Sequence, residues 1–583
     1  MRKELLLLGA FGMLTTATLC AQEFHLQPTP QEYITQKDSV DIPRQYQILS
    51  GNSVQDGPAL PLLRSLMPEE VLGASFRVYI GVKGDKIIKK YQHRIPRKSE
   101  GYFLKIEKDC IVIAGADERG AYYGVQTLAQ LLALDKLPLA EVTDYPDVPY
   151  RGVVEGFYGA PWSQEACIRQ LDFYGRNKMN VYIYGPKDDP YHRTPNWRKP
   201  YPAREGEELK VLVNRAKENN VIFYWAIHPG QDIRWNEEDR SLLLQKFESM
   251  YQLGVRGFAV FFDDISGEGT KADKQAELLN YIDDHFVKVK RDVAPLILCP
   301  TEYNKSWTDV EGGYLTTLGD KLNEGIKVMW TGDMVVATID KSTLDFVNPL
   351  LKRKAYIWWN FPVSDYVQDH LLLGPVYGNG LDVKDDMSAF VSNPMEHAEA
   401  SKISLYSVAD YTWNMENYDS ETSWKHAVRD LMPLHAEYLE IFAAHNSDPG
   451  QNGHRFRREE SVAIQPALSA LLKAYQEKNE IDEDAYRQVA EECRKIIVAA
   501  DGLLASGNEN RPLITEIRPW LIQFKQVGEY GAEVLNMIRL RQQKDAFIGS
   551  YEHARALLVL MGETDAQYKA GIKSGSLHLM PTF

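Results

Sequence analysis

The sequence lacks long hydrophobic runs and carries fewer basic than acidic residues. After the first twenty residues, no stretch reaches the roughly 18 consecutive apolar residues that a membrane-spanning helix needs. The net charge of −15 argues against nucleic acid as the main partner, because contacts to phosphates require clustered Lys and Arg. The hydrophobic share of 44% and the charged share of 25% are typical of a globular protein and exclude a mainly disordered or collagen-like chain.

Cysteine is also scarce, and its spacing is uninformative for metals or disulfides. Beyond the leader, Cys110, Cys167, Cys299 and Cys493 form no short pair of the kind that zinc sites use. In a chain with a full core, such cysteines are predicted to be buried free thiols. The glycine-rich segment 267–269 has neither a third glycine nor a following Lys-Ser/Thr, so no phosphate-binding loop is indicated. We therefore expect neither a metal nor a cofactor.

The first 21 residues resemble a targeting signal, and we do not expect them to be part of the folded protein. Two basic residues, an apolar stretch and then small residues up to Ala21 are typical of a signal peptide. The pattern predicts cleavage after residue 21 and export, to the periplasm, without a membrane span. A lipid anchor on Cys20 is the alternative, but the bulky Leu19 precedes it where the processing enzyme prefers a small residue.

Three regions with different patterns follow the leader. Residues 22–147 alternate between strand-like runs, such as 76–82 and 102–106, and a helical stripe after Arg119, which predicts an N-terminal α/β domain. Two prolines within 145–149 mark its end. Residues 148–421 are predicted to form a second domain, and 422–583 show helical periodicity throughout, which predicts a helical bundle. The abrupt end at Phe583 suggests that a further module is missing.

The second domain alternates short apolar runs with helical stripes. Eight runs over about 260 residues match the number of strands and the length of a (β/α)₈ TIM barrel. A doubly wound open sheet is the alternative, because strand order cannot be read from the pattern. The eight runs are residues 152–157, 181–184, 221–227, 258–262, 296–298, 326–330, 355–359 and 403–408.

Polar residues follow directly after these runs. In a barrel, the C-terminal ends of the strands meet on one face, where active sites are built, so this concentration of polar groups predicts an enzyme. The groups concerned are residues 156–159, 187–189, 228–230, 263–264, 302–304, 331–333, Asn360 and 410–411.

The adjacent Asp263 and Asp264 are the main candidates for catalysis. Two neighbouring carboxylates repel each other, so one pKa is expected to rise while the other stays low, which yields an acid and a base in one site. A helix cap or a loop pair is the ordinary alternative for two adjacent aspartates. The apolar residues at 261–262 favour the end of a buried strand instead.

Four segments together resemble the bacterial O-GlcNAcases, family 84 of the glycoside hydrolases. They are 151–159 (RGVVEGFYG), 184–190 (YGPKDDP), 262–265 (FDDI) and 358–362 (WWNFP). The resemblance extends from the leader to about residue 560. The segment 116–124 (ADERGAYYG) is in turn similar to the domain that precedes the barrel in family 20 hexosaminidases.

This resemblance implies a retaining exo-β-N-acetylglucosaminidase in which the 2-acetamido oxygen of the sugar attacks C1 and forms an oxazoline. Asp263 would polarise the acetamide, and Asp264 would be the general acid and base. Tyr303 and Asn360 would hold the acetamide. The remaining implied contacts are a methyl pocket of Cys299, Thr331 and Trp358, sugar hydroxyl contacts from Gly156, Lys187, Asp365 and Asn393, and contacts to the rest of the substrate from Tyr158 and Val335.

Two other functions remain open at this point. One is an endo-acting, hyaluronidase-like hydrolase, although the net charge of −15 disfavours a polyanionic substrate. The other is a catalytically inert GlcNAc-binding protein, against which the intact Asp263, Asp264 and Tyr303 argue. In every case the expected partner is a GlcNAc-bearing glycan or glycoprotein.

Overall fold

The computed structural model describes residues 25–568, so the predicted leader and the end of the chain at Phe583 lie outside the described residues. The first domain is a mixed sheet of six strands in the order β1-β6-β4-β5-β3-β2, with helices α1 (Ala59–Leu66) and α2 (Glu118–Leu132). Its core is built from apolar side chains of the strands and of α2. The strands are β1 (Glu32–Val40), β2 (Tyr46–Ser50), β3 (Phe76–Val82), β4 (Tyr102–Ile106), β5 (Cys110–Gly115) and β6 (Leu137–Asp144).

The second domain is a closed barrel of eight strands. Every neighbouring pair is parallel, and the last strand pairs with the first, which confirms the predicted TIM barrel and excludes the open sheet. Inward-facing side chains such as Ile183, Phe261 and Met329 fill its interior. The strands are β7 (Tyr150–Glu155), β8 (Val181–Tyr184), β9 (Ile222–Ile227), β10 (Gly257–Phe261), β11 (Ile297–Cys299), β12 (Lys327–Trp330), β13 (Ala355–Trp359) and β14 (Met387–Ser392).

Helices cover the outside of the barrel. One helix follows each strand except β13, which is joined to β14 by a long loop. Side-chain caps fix several starts: Ser163 accepts a hydrogen bond from the backbone N–H of Ala166. The helices are α3 (Gln164–Arg176), α4 (Ala203–Glu218), α5 (Glu237–Gln252), α6 (Ala272–Ile282), α7 (Tyr314–Lys321), α8 (Lys341–Leu351) and α9 (Ala398–Trp413).

The predicted eighth strand was wrong. Residues 403–408 lie in α9, and Asp410 and Tyr411 are therefore inside a helix and not at a strand end. Every residue of α9 is buried, so its sequence lacks the polar face that marks a surface helix, and a short buried run is ambiguous between helix and strand. The true last strand, β14, contains Ser388 and Ser392, which interrupt its apolar pattern.

The third region is helical, as predicted. Its longest helix, α14, packs against both α13 and α15. Between α11 and α12, the segment 445–461 forms no α-helix or strand and returns to the barrel. Among the described residues, no helix is long and apolar enough to cross a membrane. The helices are α10 (Ser420–Leu431), α11 (Ala436–Ala444), α12 (Gln465–Lys478), α13 (Glu483–Ala505), α14 (Arg511–Leu540) and α15 (Lys544–Gln567).

Candidate active site

A cavity of about 360 Å³ opens at the C-terminal ends of the barrel strands. Every residue predicted for the site lines this one cavity, although their separate roles stay predictions. These residues are Gly156, Tyr158, Lys187, Asp263, Asp264, Cys299, Tyr303, Thr331, Val335, Trp358, Asn360, Asp365 and Asn393.

Asp263 follows β10 and is buried, with its two oxygens in different surroundings. The ammonium group of Lys187 lies 2.5 Å from Oδ2. Oδ1 has no hydrogen-bond partner among the described residues. Burial alone would raise the pKa of Asp263, but the nearby Lys187 charge lowers it to about 2. Asp263 therefore stays ionised at neutral pH, and its Oδ1 is an unused hydrogen-bond acceptor.

Asp264 has a different environment. Its carboxylate accepts hydrogen bonds from two phenols, Tyr303 at 2.8 Å and Tyr158 at 2.9 Å. Its φ is +52°, a left-handed conformation that is uncommon for residues other than glycine. The two adjacent aspartates thus have different surroundings: Asp263 is paired with a cation, and Asp264 is held by two neutral phenol donors. Their division into an acid and a base stays a prediction.

Asn360 is fixed by three hydrogen bonds. Its side-chain oxygen accepts from Trp358 Nε1 at 2.8 Å and from Asn393 Nδ2 at 3.0 Å. Its Nδ2 donates to the backbone oxygen of Val335 at 2.7 Å. The amide is therefore held in one orientation before any ligand arrives, which is the preorganisation that binding a polar group requires.

Gly156, which directly follows β7, packs closely against Trp358 of β13. A Cβ on Gly156 would lie 2.4 Å from the Trp358 ring, so a side chain is excluded there. The Gly156 N–H donates to Asn393 Oδ1 at 3.3 Å. Asp365 accepts a hydrogen bond from the Tyr158 N–H at 2.9 Å, and burial raises the pKa of Asp365.

Five further residues line the cavity that the sequence did not reveal: Trp307, Val336, Val363, Tyr366 and His454. Trp307 packs on Tyr303 with ring centroids 4.8 Å apart, and half of its surface is exposed. An aromatic residue soon after the end of β11 was a usable signal for it. His454 had no such signal, because it comes from the segment 445–461 beyond the barrel.

The described residues contain no group of three or more His, Cys, Asp or Glu placed to hold a metal ion. The cavity is lined by carboxylates, amides, phenols and aromatic rings, together with the Lys187 ammonium group and the His454 imidazole. This set of groups suits recognition of a polar, uncharged ring such as a sugar, with Asp264 available for proton transfer.

Three family models match the chain. The model described as beta-N-acetylglucosaminidase matches residues 151–444, half of the chain. The model of the bacterial GH84 post-catalytic domain matches 460–583, and the model of domain 2 of glycosyl hydrolase family 20 matches 23–145. Together they cover all three regions of the structure.

Individual relatives agree with these matches. The Protein O-GlcNAcase of Rattus norvegicus is 35% identical over 276 residues, which are 46% of this chain and 30% of that relative. The match thus spans less than a third of the relative's length. The solved structure described as CpGH84B is 31% identical, with a TM-score of 0.86 over 95% of this chain and 98% of its own. A mutant of the Thermobaculum terrenum O-GlcNAc hydrolase is 26% identical, with a TM-score of 0.65 over 75% of this chain and 94% of its own.

Proposed function

The chain belongs to glycoside hydrolase family 84, the beta-N-acetylglucosaminidase family, and we propose that it removes terminal β-linked GlcNAc from Ser/Thr or from glycans. One observation carries the proposal: two adjacent carboxyl groups of different character line the same cavity. Asp263 is buried and ionised, and one of its oxygens has no partner among the described residues. The carboxylate of Asp264 accepts hydrogen bonds from two phenols.

We propose a substrate-assisted mechanism. In the first step the acetamide oxygen attacks C1 of the sugar while the C1–oxygen bond to the leaving group breaks, and Asp264 donates its proton to the departing oxygen. The acetamide N–H donates to the free Oδ1 of Asp263, whose negative charge stabilises the positive charge that develops on the ring being formed. In the second step water attacks C1, the oxazoline opens, and Asp264 takes the proton of the water.

The surrounding groups support this assignment. Lys187 keeps Asp263 ionised, so no proton competes with the acetamide N–H for the carboxylate. The fixed amide of Asn360 and the ring of Trp358 surround the space predicted for the acetamide. Asp365 lines the same cavity, and we expect it to bind a sugar hydroxyl.

A series of fluorinated substrates tests the nucleophile. Each fluorine on the acetamide methyl withdraws electrons from the attacking oxygen and adds little bulk, so kcat should fall progressively along the series for a 4-methylumbelliferyl β-glycoside. A flat series would mean that a protein carboxylate is the nucleophile. Asp263→Asn should abolish most of the activity, whereas the control Asp188→Asn, at an exposed aspartate beside Lys187 that does not line the cavity, should leave it unchanged.

Product analysis separates this activity from its alternatives. Release of single GlcNAc residues from a chain end supports the exo-acting assignment. Shortening of an internal chain without release of monosaccharide would point to an endo-acting hydrolase, and binding without turnover of any glycoside would point to an inert binding protein.

We also propose export of the protein, on the basis of residues 1–21. Expression of the full chain in a Gram-negative host should yield a periplasmic product whose N-terminal residue is Gln22. A product that keeps Met1 and stays in the cytoplasm would contradict the proposal.

A further inference from the structure

A buried histidine lies behind the two aspartates of the site. His228 follows β9 and is 3% exposed. Its Nε2 lies 2.8 Å from the backbone oxygen of Asp263 and 3.5 Å from Oδ1 of the same residue. Its Nδ1 has no hydrogen-bond partner among the described residues. The proposed mechanism assigns no role to this histidine.

The geometry determines which ring nitrogen carries the proton. At 2.8 Å, an unprotonated Nε2 would place its lone pair against the lone pairs of a carbonyl oxygen, which is repulsive, so Nε2 must be the donor. Burial lowers the pKa of His228, so the ring is neutral and Nδ1 is unprotonated. A neutral ring with a donor at Nε2 satisfies the Asp263 carbonyl without placing a second charge beside its carboxylate.

That carbonyl belongs to the peptide group between Asp263 and Asp264. The φ of Asp264 is the rotation about its N–Cα bond relative to the plane of this peptide. The observed value of +52° is a left-handed conformation that costs free energy in residues other than glycine. With this peptide plane held in place, the φ of +52° directs the Asp264 side chain towards Tyr158 and Tyr303, and a tilt of the plane at the same φ would shift that carboxylate. The hydrogen bond from His228 to the carbonyl opposes such a tilt.

The loop that carries His228 is itself held firmly. The His228 N–H donates to the backbone oxygen of His192 at 2.7 Å. Two residues later, a Cβ on Gly230 would lie 2.6 Å from Ile265 and 2.8 Å from Phe262, so this loop contacts the Asp263–Asp264 loop on both sides. The imidazole is therefore a rigid support for the Asp263 carbonyl.

We propose that His228 is a positioning residue that holds Asp264 in its left-handed, proton-donating conformation through the Asp263 carbonyl. The inference rests on the proposed function. Its consequence is selective: if His228 acts through the general acid, its loss should matter most when the leaving group needs a proton.

The test compares kcat/KM for a dinitrophenyl and an alkyl β-GlcNAc glycoside. For His228→Asn, whose amide ends near the position of Nδ1 and cannot reach the carbonyl, the alkyl glycoside should lose at least about 10-fold more than the dinitrophenyl glycoside, part of the roughly 10²–10⁴-fold that a general acid contributes. His228→Gln places an N–H near the position of Nε2 and should restore the ratio of the two rates towards the wild-type value.

His192→Asn is the matched control. His192 is equally buried and lies in the adjoining loop, but its contact is to the Ala226 carbonyl and not to Asp263. Its variant should lower the melting temperature and change the two rates by the same factor. If the His228 variants also lower both rates equally, or if Gln restores nothing, His228 is merely structural and the inference is wrong.

A measurement on the wild-type protein does not depend on any variant folding. With ¹⁵N-labelled histidine, the His228 signals should show a protonated Nε2 and an unprotonated Nδ1 at pH 7. A proton on Nδ1 would overturn the inference. If the wild-type protein hydrolyses neither glycoside, the proposed function fails and the inference fails with it, whereas an active wild type with unselective His228 variants removes the inference alone.

Discussion

At the scale of single residues, the proposed mechanism requires that Asp263 stays ionised while Asp264 exchanges a proton. Lys187 is central to that difference, because its ammonium group contacts Asp263 Oδ2 and both side chains are buried. The family resemblance implied that Lys187 is a ligand of sugar hydroxyls. The structure adds an ion pair to that prediction, and a pairing between the ends of two different strands is not visible in the sequence.

Replacing Lys187 tests this pairing. Without the ammonium group, burial is the main influence on Asp263 and its pKa should rise from about 2. In Lys187→Met, the acidic limb of the kcat/KM profile should therefore move to higher pH, because protonated Asp263 cannot accept the acetamide N–H. The measurement is a pH–rate profile with an activated glycoside. A limb that stays where it is in the wild type would mean that Asp263 does not depend on Lys187.

Asp264 can be tested through the leaving group. Asp264→Ala should slow an alkyl glycoside by about 10²–10⁴-fold and a dinitrophenyl glycoside much less, since a dinitrophenolate leaves without a proton. Asp263→Asn is the comparison: it should slow both substrates alike, because cyclisation needs the charge whatever the leaving group is. Equal losses in Asp264→Ala would remove its role as the acid.

At the scale of secondary-structure elements, strand ends were the reliable signal. Seven of the eight predicted runs overlap barrel strands, and after six of these seven at least one of the predicted residues lines the cavity. The exception is the run before 228–230, from which no residue reaches the cavity. The eighth failed because α9 is buried on all sides and β14 contains serines, so neither element shows its usual periodicity. Asn393, directly after β14, came from the family resemblance and not from the strand pattern.

The end of β7 also holds an unusual carboxyl group. Glu155 is buried and accepts hydrogen bonds from the Tyr182 hydroxyl and, at 3.2 Å, from the Trp162 N–H, so it ties the loop of Gly156 and Tyr158 to the barrel. Burial raises its pKa from 4.5 to about 7. No cation pairs with it in the described residues.

This raised pKa predicts a pH dependence of stability. The folded state holds the Glu155 proton up to about pH 7, whereas the unfolded chain releases it near 4.5, so the free energy of unfolding should fall as the pH rises between these values, by up to about 3 kcal/mol. Glu155→Gln should show a smaller fall than the wild type, because buried Glu516, whose pKa is raised to about 8, still contributes. Chemical denaturation at several pH values measures it, with the exposed Glu207→Gln as control. Equal pH dependence in wild type and Glu155→Gln would show that Glu155 is ionised when folded.

At the scale of the whole molecule, the third region contributes to the site. The segment 445–461 brings His454 against Tyr366, with ring centroids 4.8 Å apart, at the edge of the cavity. Helical periodicity correctly predicted the elements of this region. It says nothing about where an irregular segment between two helices lies, because that depends on contacts between residues far apart in the chain.

Arg458 joins this segment to the barrel. It is 7% exposed, its Nη1 donates to the backbone oxygen of Tyr377 at 2.8 Å, and its guanidinium lies 4.6 Å from the Phe361 ring. Phe361 directly follows Asn360 of the site. The same guanidinium therefore holds both the segment with His454 and the long loop that follows β13.

Removing this link should weaken substrate binding from a distance. Arg458→Ala loses a buried hydrogen bond and the contacts of the guanidinium with aromatic rings, so we expect the free energy of unfolding to fall by about 2 kcal/mol or more. Because the loosened segment carries His454, which faces Asp365, KM should rise several-fold while the leaving-group dependence stays at its wild-type value.

Arg455→Ala is the control, since it removes the same charge from the same segment, whereas that side chain forms no ion pair in the described part of the chain. Steady-state kinetics and thermal denaturation of both variants measure the effect of Arg458 on KM and on stability. If Arg455→Ala and Arg458→Ala raise KM equally, the loss of charge causes the effect, and the segment does not support the site through Arg458.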